Sequence, residues 1–378
     1  LTVKRRAKRG SILGNIALSL ASIIVFLGLA EAAAWVFTPP AKPGLPKDMF
    51  EFYREGYLRI TPNFKGIMDN RVDFTGAVVT ADSEGRRIVP AAPANAAQRL
   101  LILGDSQAFG HGLSDEQSWP NRLQEDLIRR TMDVAVSNLA IPAVNIDQYL
   151  VRIRAIAPTL GPDDTVMVAL SWNDIITPPS DKQSNRIVEG YLVNSDGKTD
   201  DAALKARIRI YDFTGIRVPQ FQSIKTTLDT LSQSSALVAT LYPRAKAIYY
   251  RFRSHSPVAD LVKAGVPEAN FLMVRQIFDI VSARGARFVL TLLPERMFFE
   301  DALFATYSVQ GRDFPTADYQ AALALPHCQA LGIRCLNAFP LLHKHQAEGL
   351  VFPVDGHYNP KGAALLGPWL AQELFPSP

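Results

Sequence analysis

Hydrophobic positions along this chain fall into two regimes. From Ile12 to Phe37 they are almost continuous, ILGNIALSLASIIVFLGLAEAAAWVF, with no charge before Glu31. About 20 consecutive apolar residues cross a bilayer core as a helix, so the run predicts a membrane-spanning helix. Beyond residue 98, short apolar runs alternate with segments of helical period. The runs are Leu100–Leu103, Val134–Ser137, Thr165–Leu170, Arg287–Leu293 and Arg334–Leu336. The helical segments lie over 118–130, 146–157, 271–283, 317–331 and 362–374, the first with Trp119, Leu123, Leu127 and Ile128 at helical spacing. Asn145 reads as the N-cap of the second. Strands alternating with helices predict a parallel α/β sheet of about five strands with right-handed crossovers.

Two stretches break this rhythm. Residues 38–48, TPPAKPGLPKD, are a proline-rich spacer. Residues 49–98 show only short alternations, Tyr57–Ile60 and Val72–Val79, which predict a small strand-rich lead-in. Between the third and fourth strands, residues 180–285 exceed any ordinary βα connection and form an insertion. Within it, Gly190 to Gly197 predicts a hairpin turning at Ser195-Asp196-Gly197. Residues 224–252 read as helical, with Tyr242, Tyr249, Tyr250 and Phe252 among arginines and lysines. That pattern suits a lid over the strand ends, or a plain surface helix. The expected organisation is therefore a tail and anchor over 1–38, a spacer and lead-in over 39–98, and a catalytic domain over 99–378.

Charge changes the picture at one end. The net charge of +4 is too small to argue for nucleic acid, and without Lys4, Arg5, Arg6, Lys8 and Arg9 the remainder is near neutral. A basic cluster before an apolar helix keeps the N-terminus in the cytoplasm and sends the body across. Ala30-Glu31-Ala32 resembles a signal-peptide cleavage site, but the apolar run is long for a signal, which favours an uncleaved anchor. Cys328 and Cys335, the two cysteines, cannot make a four-ligand zinc site; they read as a local disulfide in an oxidising compartment or as two small buried hydrophobes. No Gly-x-Gly-x-x-Gly and no P-loop lysine is present, so no nucleotide cofactor is expected, and since His343 and His345 have no partners in the sequence no metal is expected either.

Candidate chemistry gathers where an open parallel sheet places it, beyond the carboxyl ends of strands. Gly104-Asp105-Ser106 ends the first strand and makes Ser106 a nucleophile candidate; the alternative is a turn whose Asp and Ser satisfy backbone donors. Trp172-Asn173-Asp174 follows the third strand, the neighbour of the first in a doubly wound sheet. Asp355-Gly356-His357 precedes the last helix. A serine nucleophile needs an imidazole base and a carboxylate to orient it. Asn173, with backbone amides near Ser106 and Ala143, supplies donors suited to an oxyanion.

In these blocks the chain resembles the SGNH (GDSL-type) hydrolases, within their membrane-anchored bacterial branch. Gly104-Asp105-Ser106, Asn173-Asp174 and Asp355-Gly356-His357 carry the resemblance, over about 99–178 and 286–376. It implies a flavodoxin-like sheet, Ser106 as nucleophile, His357 as base and Asp355 as its orienting carboxylate, with Asp105 and Asp174 supporting. It also implies Asn173 and a residue of 138–143 as oxyanion donors. Three departures stand out: Ala143 replaces a glycine, Trp172 brings bulk expected to narrow the acyl pocket, and Asp355 and His357 are closer in sequence than usual. His111 is a weaker candidate base, and His327, His343 and His345 have no visible pairing. The reading is an extracytoplasmic ester hydrolase of the inner membrane, acting on O-acyl groups of an envelope glycan or a small acylated molecule. O-acetyl transfer by the same triad and a non-catalytic glycan-binding scaffold are the alternatives.

Overall fold

The computed structural model describes residues 9–37, 44–53, 57–90, 96–179, 185–188, 190–194, 235–238, 241, 257–307 and 314–376. The chain divides into two compact units, residues 1–41 with 209–246, and residues 42–208 with 247–378.

In the first unit the helix Arg9–Phe37 contains the apolar stretch Gly14–Phe37, with a mean hydropathy of 2.2. Among the described residues it is the one helix long and apolar enough to cross a membrane. Its side chains are apolar on every side, as a span facing lipid requires. Glu31, the acid in this run, accepts from Ser235 Oγ at 2.7 Å, from the Ala236 amide at 2.8 Å and from the Leu237 amide at 3.2 Å. Three donors offset the cost of a carboxylate among apolar residues.

The second unit begins with two antiparallel pairs, β1 (Phe50–Phe52) with β2 (Leu58–Ile60) and β3 (Lys65–Met68) with β4 (Ala77–Thr80). Of the two alternations read from the sequence, Leu58–Ile60 forms β2 and Ala77–Val79 lies in β4, whereas Val72–Gly76 stands outside any strand. The central sheet follows: β5 (Gln98–Gly104), β6 (Val134–Asn138) and β7 (Asp164–Leu170). A short antiparallel pair, β8 (Asn185–Val188) with β9 (Tyr191–Asn194), interrupts it, and β10 (Arg287–Leu292) and β11 (Arg334–Asn337) complete it. All five central strands are parallel in the order β11-β10-β7-β5-β6. This is the flavodoxin-like order, which reverses between β5 and β7 and makes that crevice the ligand position.

Burial explains the patterns. Every residue of β7 and Leu100–Gly104 of β5 are buried, as continuous apolar runs demand in a sheet covered on both faces. The edge strand β6 alternates instead, and buried Gln124 bonds its free edge, donating to Val134 O at 3.0 Å and accepting from the Val136 amide at 2.7 Å. Helix Trp119–Arg129 packs against helix Pro360–Leu374, and helix Ile146–Ile156 against helix Val266–Ser282. Gly367 permits the first pairing, because a Cβ there would stand 2.8 Å from Trp119 O and from Leu123 N.

The hairpin in the insertion turns at Gly190 (φ +86°), because Tyr191–Asn194 pairs back onto β8; residues 195–197 lie outside the described residues. The helical reading over 224–252 also falls outside them, apart from 235–238 and 241. Cys328 and Cys335 are free thiols here, joined by a hydrogen bond between helix Tyr319–Leu331 and β11.

The lead-in is wired into the site region. Arg87, fully buried, donates to Asp115 Oδ1 (3.0 Å), to the carbonyls of Phe109 and Gly110 (2.8 Å each) and to Leu113 O (2.5 Å). One guanidinium thus gathers the whole loop after Ser106. Removing one partner of a buried pair leaves the other charge uncompensated, at a cost of about 3–5 kcal/mol. Arg87→Ala is expected to lose stability of that order in urea unfolding of the full chain in detergent; an unchanged midpoint would refute this account.

Candidate active site

Ser106 stands where β5 stops. Gly104 makes the approach possible, since a Cβ there would lie 2.4 Å from that of Ala108 and 3.1 Å from Ala169 O. Asp105 caps the short helix Ser106–Phe109, accepting from the Gln107 amide at 2.9 Å, and Gly110 closes it in the left-handed region (φ +85°). Such a cap and stop hold a single turn that has no cooperative length of its own.

The structure brings Ser106, His357 and Asp355 together. His357 Nε2 lies 2.7 Å from Ser106 Oγ, and its Nδ1 bonds Asp355 Oδ1. The close sequence spacing of Asp355 and His357 is made workable by Gly356, whose φ of +86° forms a tight turn. That turn is held by Gly356 N–H to Phe352 O (2.9 Å) and Phe352 N–H to His357 O (2.8 Å). Asp73 of the lead-in accepts from the amides of Val354 (3.0 Å) and Asp355 (2.5 Å), fixing the carboxylate's end of the loop. Burial opposes the charged imidazole of His357, but the bond and charge of Asp355, with Asp105 and Glu295, outweigh it and raise its pKa. Burial likewise raises Asp355, and the His357 bond and charge, aided by His111, more than reverse this.

His111 does not reach the serine as a base. Its ring packs 4.7 Å from that of His357 and edge-on to Phe74, with Nε2 3.7 Å from Asp355 Oδ2. Burial, then the neighbouring His357, lowers its pKa to about 3, so it is a neutral wall of the site. His111, Asp355 and His357 offer atoms within 4.8 Å of one another, yet both nitrogens of His357 are already engaged by Ser106 and Asp355. The other histidines pair locally: His327 stacks on Phe271, His343 meets Asp301 at 3.0 Å, and His345 meets Glu348 at 2.7 Å.

The opposite side carries the amide donors. Ser171 donates from Oγ to Asp105 Oδ1 at 2.9 Å and begins helix Trp172–Ile176, so Asn173 stands at the carboxyl end of β7, the strand next to β5. Asn173 Nδ2 donates to Asn145 Oδ1 at 3.3 Å, which leaves its second N–H for a substrate oxygen. Asn145 does stand at the N-cap position of helix Ile146–Ile156, but its side chain makes no cap bond and holds Asn173 instead. Asp174 is buried, accepting from the Ser171 amide (2.9 Å) and Tyr149 Oη (3.0 Å); burial, then Asp105, drives its pKa well up. Ala143 lies on the loop after β6, drawn in by Ile141 N–H to Gly104 O at 3.0 Å, and takes φ +62°, the conformation a glycine would adopt freely. Trp172 does not narrow an open pocket: it is buried in an aromatic cluster, 4.9 Å from Phe298 and 5.6 Å from Phe314.

Glu295 joins this group without any motif to announce it. Half-buried just past β10, it is pushed up to about 7 by burial and by Asp105, against the opposing pull of His357 and the Asn173 amide. The signal available was only its place, a carboxyl beyond a strand's carboxyl end, like Asp105 and Asp174.

No family model matches the chain. An arylesterase of Vibrio mimicus is 34% identical over 83 residues, 22% of this chain and 41% of that protein, so the chain spans about two fifths of that relative's length. Among solved structures, a lipolytic G-D-S-L family member from Veillonella parvula covers 74% of this chain and 98% of its own at 13% identity, with a TM-score of 0.37. An acetyl xylan esterase covers 73% of this chain and 98% of its own at 10% identity and a TM-score of 0.39. The inhibitor-bound aryl esterase of M. smegmatis covers 74% and 98% at 14% identity and a TM-score of 0.36.

A non-glycine residue in the left-handed region is strained by roughly 1–2 kcal/mol, and a β-branched one more so. Ala143→Gly should therefore melt no lower than the wild type, and Ala143→Val clearly lower. The Asp355–His357 pair should stabilise the fold most between the ordinary values of 3.8 and 6.5. The Asp355 share is lost as pH falls through its lowered pKa, and the His357 share as pH rises through its raised one. His357→Gln should melt below the wild type at about pH 5, with the gap closing as pH rises past the folded-state value; equal melting temperatures at both ends would refute this.

Proposed function

We propose that this chain is a membrane-anchored serine ester hydrolase of the SGNH type. The observation that carries the reading is the bond from His357 Nε2 to Ser106 Oγ at 2.7 Å, with Asp355 on the other ring nitrogen. Ser106 Oγ attacks the acyl carbonyl while His357 takes its proton. Charge on the carbonyl oxygen falls to the amides of Ser106 and Ala143 and the side chain of Asn173. His357, held as imidazolium by Asp355, returns the proton to the departing alkoxide. Water then enters by the reverse sequence and frees Ser106 from the acyl group. The arylesterase relative in Vibrio mimicus supports an ester as substrate.

The basic cluster ahead of helix Arg9–Phe37 supports a cytoplasmic N-terminus and a catalytic body on the far side of the inner membrane. In that compartment the fitting substrate is an O-acyl group on an envelope glycan or polysaccharide. Transfer of the same acyl group to a sugar hydroxyl uses the same atoms, with the acceptor replacing water.

The test uses the full chain in detergent micelles, a fluorophosphonate probe and p-nitrophenyl acetate. Labelling and turnover should vanish in Ser106→Ala, and Asp355→Asn should lose about 10⁴-fold in kcat, as loss of the orienting carboxylate does in serine triads. Added acylated and free glycans separate hydrolysis from transfer. A wild type that neither labels nor turns over would leave a glycan-binding scaffold as the better account.

A further inference from the structure

An asparagine carboxamide presents a donor at one end and an acceptor at the other, and only the donor end steadies an oxyanion. Asn173 therefore needs a neighbour that fixes which way its amide points. Asn145 has the geometry for it, since its Oδ1 accepts from Asn173 Nδ2 at 3.3 Å. Asn145 also stands on a firm base. Its backbone is extended (φ −130°, ψ −173°), and its carbonyl accepts from the amides of Gln148 (2.9 Å) and Tyr149 (3.2 Å) as helix Ile146–Ile156 begins. Ile146, Tyr149, Leu150 and Ile153 of that helix are buried, and it packs against helix Val266–Ser282. An asparagine in this position ordinarily turns its side chain back to the N–H groups of its own helix. Asn145 forgoes that bond, and its oxygen reaches across to Asn173. The same helix also holds the residue next to Asn173. Tyr149 Oη donates to Asp174 Oδ1 at 3.0 Å, and Asp174 Oδ2 accepts the Ser171 amide at 2.9 Å. One contact thus steadies the turn that carries Asn173, and the other steadies its side chain.

We propose that Asn145 is a positioning residue for the oxyanion donor: by accepting one hydrogen of Asn173 Nδ2, it aims the other at the carbonyl oxygen of a bound ester. The proposal rests on the hydrolase reading and adds to it the residue that orients the donor. Asn145 takes no part in proton transfer and acts through Asn173 alone. Without its oxygen the carboxamide is free to turn its own carbonyl toward the developing negative charge, where an acceptor repels instead of stabilising. Ala143, whose amide is the candidate backbone donor, lies two residues earlier. The segment after β6 therefore governs both donors that lie outside the Ser106 turn.

The test is a double-mutant cycle on p-nitrophenyl acetate hydrolysis by the full chain in detergent, with the final extent of fluorophosphonate labelling counting folded sites in each variant. Asn173→Ala should lose about 10²–10³ in kcat, the cost of removing one oxyanion donor. Asn145→Ala should lose about tenfold or more in kcat with KM within about twofold, the pattern of a misaimed transition-state donor. Placed in the Asn173→Ala background, Asn145→Ala should cost no more than about twofold further, because its only route of action is already gone. An unchanged kcat in Asn145→Ala overturns the proposal, and so does a full additive loss in the double variant. Asn145→Ser separates orientation from helix capping, since serine caps a helix as well as asparagine does but has a shorter reach. It should be as slow as Asn145→Ala; recovery to within about threefold of the wild type overturns the proposal in favour of a plain cap. A wild type with no Ser106-dependent turnover overturns the hydrolase reading and this proposal together. Ser106-dependent turnover that Asn145→Ala leaves intact overturns this proposal alone.

Discussion

The carboxylate of Asp105 is the group on which the site's geometry turns. Buried at the end of β5, it accepts from the Gln107 amide and from Ser171 Oγ. A charge removed from water is tolerated only when it is well bonded. Here each bond does something further: Gln107 holds the turn under Ser106, and Ser171 starts the helix after β7 that carries Asn173, the candidate oxyanion donor. One carboxylate therefore sets the register between a nucleophile candidate on one strand and an amide donor on its neighbour. Because β5 and β7 are adjacent only at the reversal point of the sheet, topology and chemistry meet at this residue.

The lead-in strands supply the outer frame. Arg87 collects the carbonyls of the loop after Ser106, and Asp73 accepts the amides of the loop that carries Asp355. The turn that carries Ser106 and the loop that carries Asp355 and His357 are thus anchored to one small segment outside the central sheet. Preorganisation of this kind is what lets donors act without reorganising during reaction. His111 contributes differently, as a buried neutral ring packed against His357 and Phe74.

Much of this is readable from the chain. The central strands lie within a residue or two of the apolar runs, because a sheet covered on both faces needs continuous apolar segments and the helices between them show their period. Ser106, Asn173, Asp105, Asp174, Asp355 and His357 are visible as polar residues at strand ends and before the last helix. Asn145 reads as a cap and is not one by its side chain, since Asn before a helix has the same local signature whether that side chain turns inward to the helix or outward to another loop. Arg87 and Asp73 have no signature at all, and Glu295 has only its place beyond a strand end, because their partners are remote in sequence.

The sequence by itself determined the alternation of strands and helices, the apolar helix over Gly14–Phe37, and which polar residues stand at strand ends. Those are consequences of local periodicity and of where an apolar run stops. Only the tertiary structure decided that His357 rather than His111 meets Ser106, that Gly356 lets Asp355 and His357 share one imidazole across so short a spacing, and that Ala143 accepts a left-handed backbone. Each of these depends on distance and burial between segments far apart in the chain, which set hydrogen bonds and pKa values and leave no periodic trace in the sequence.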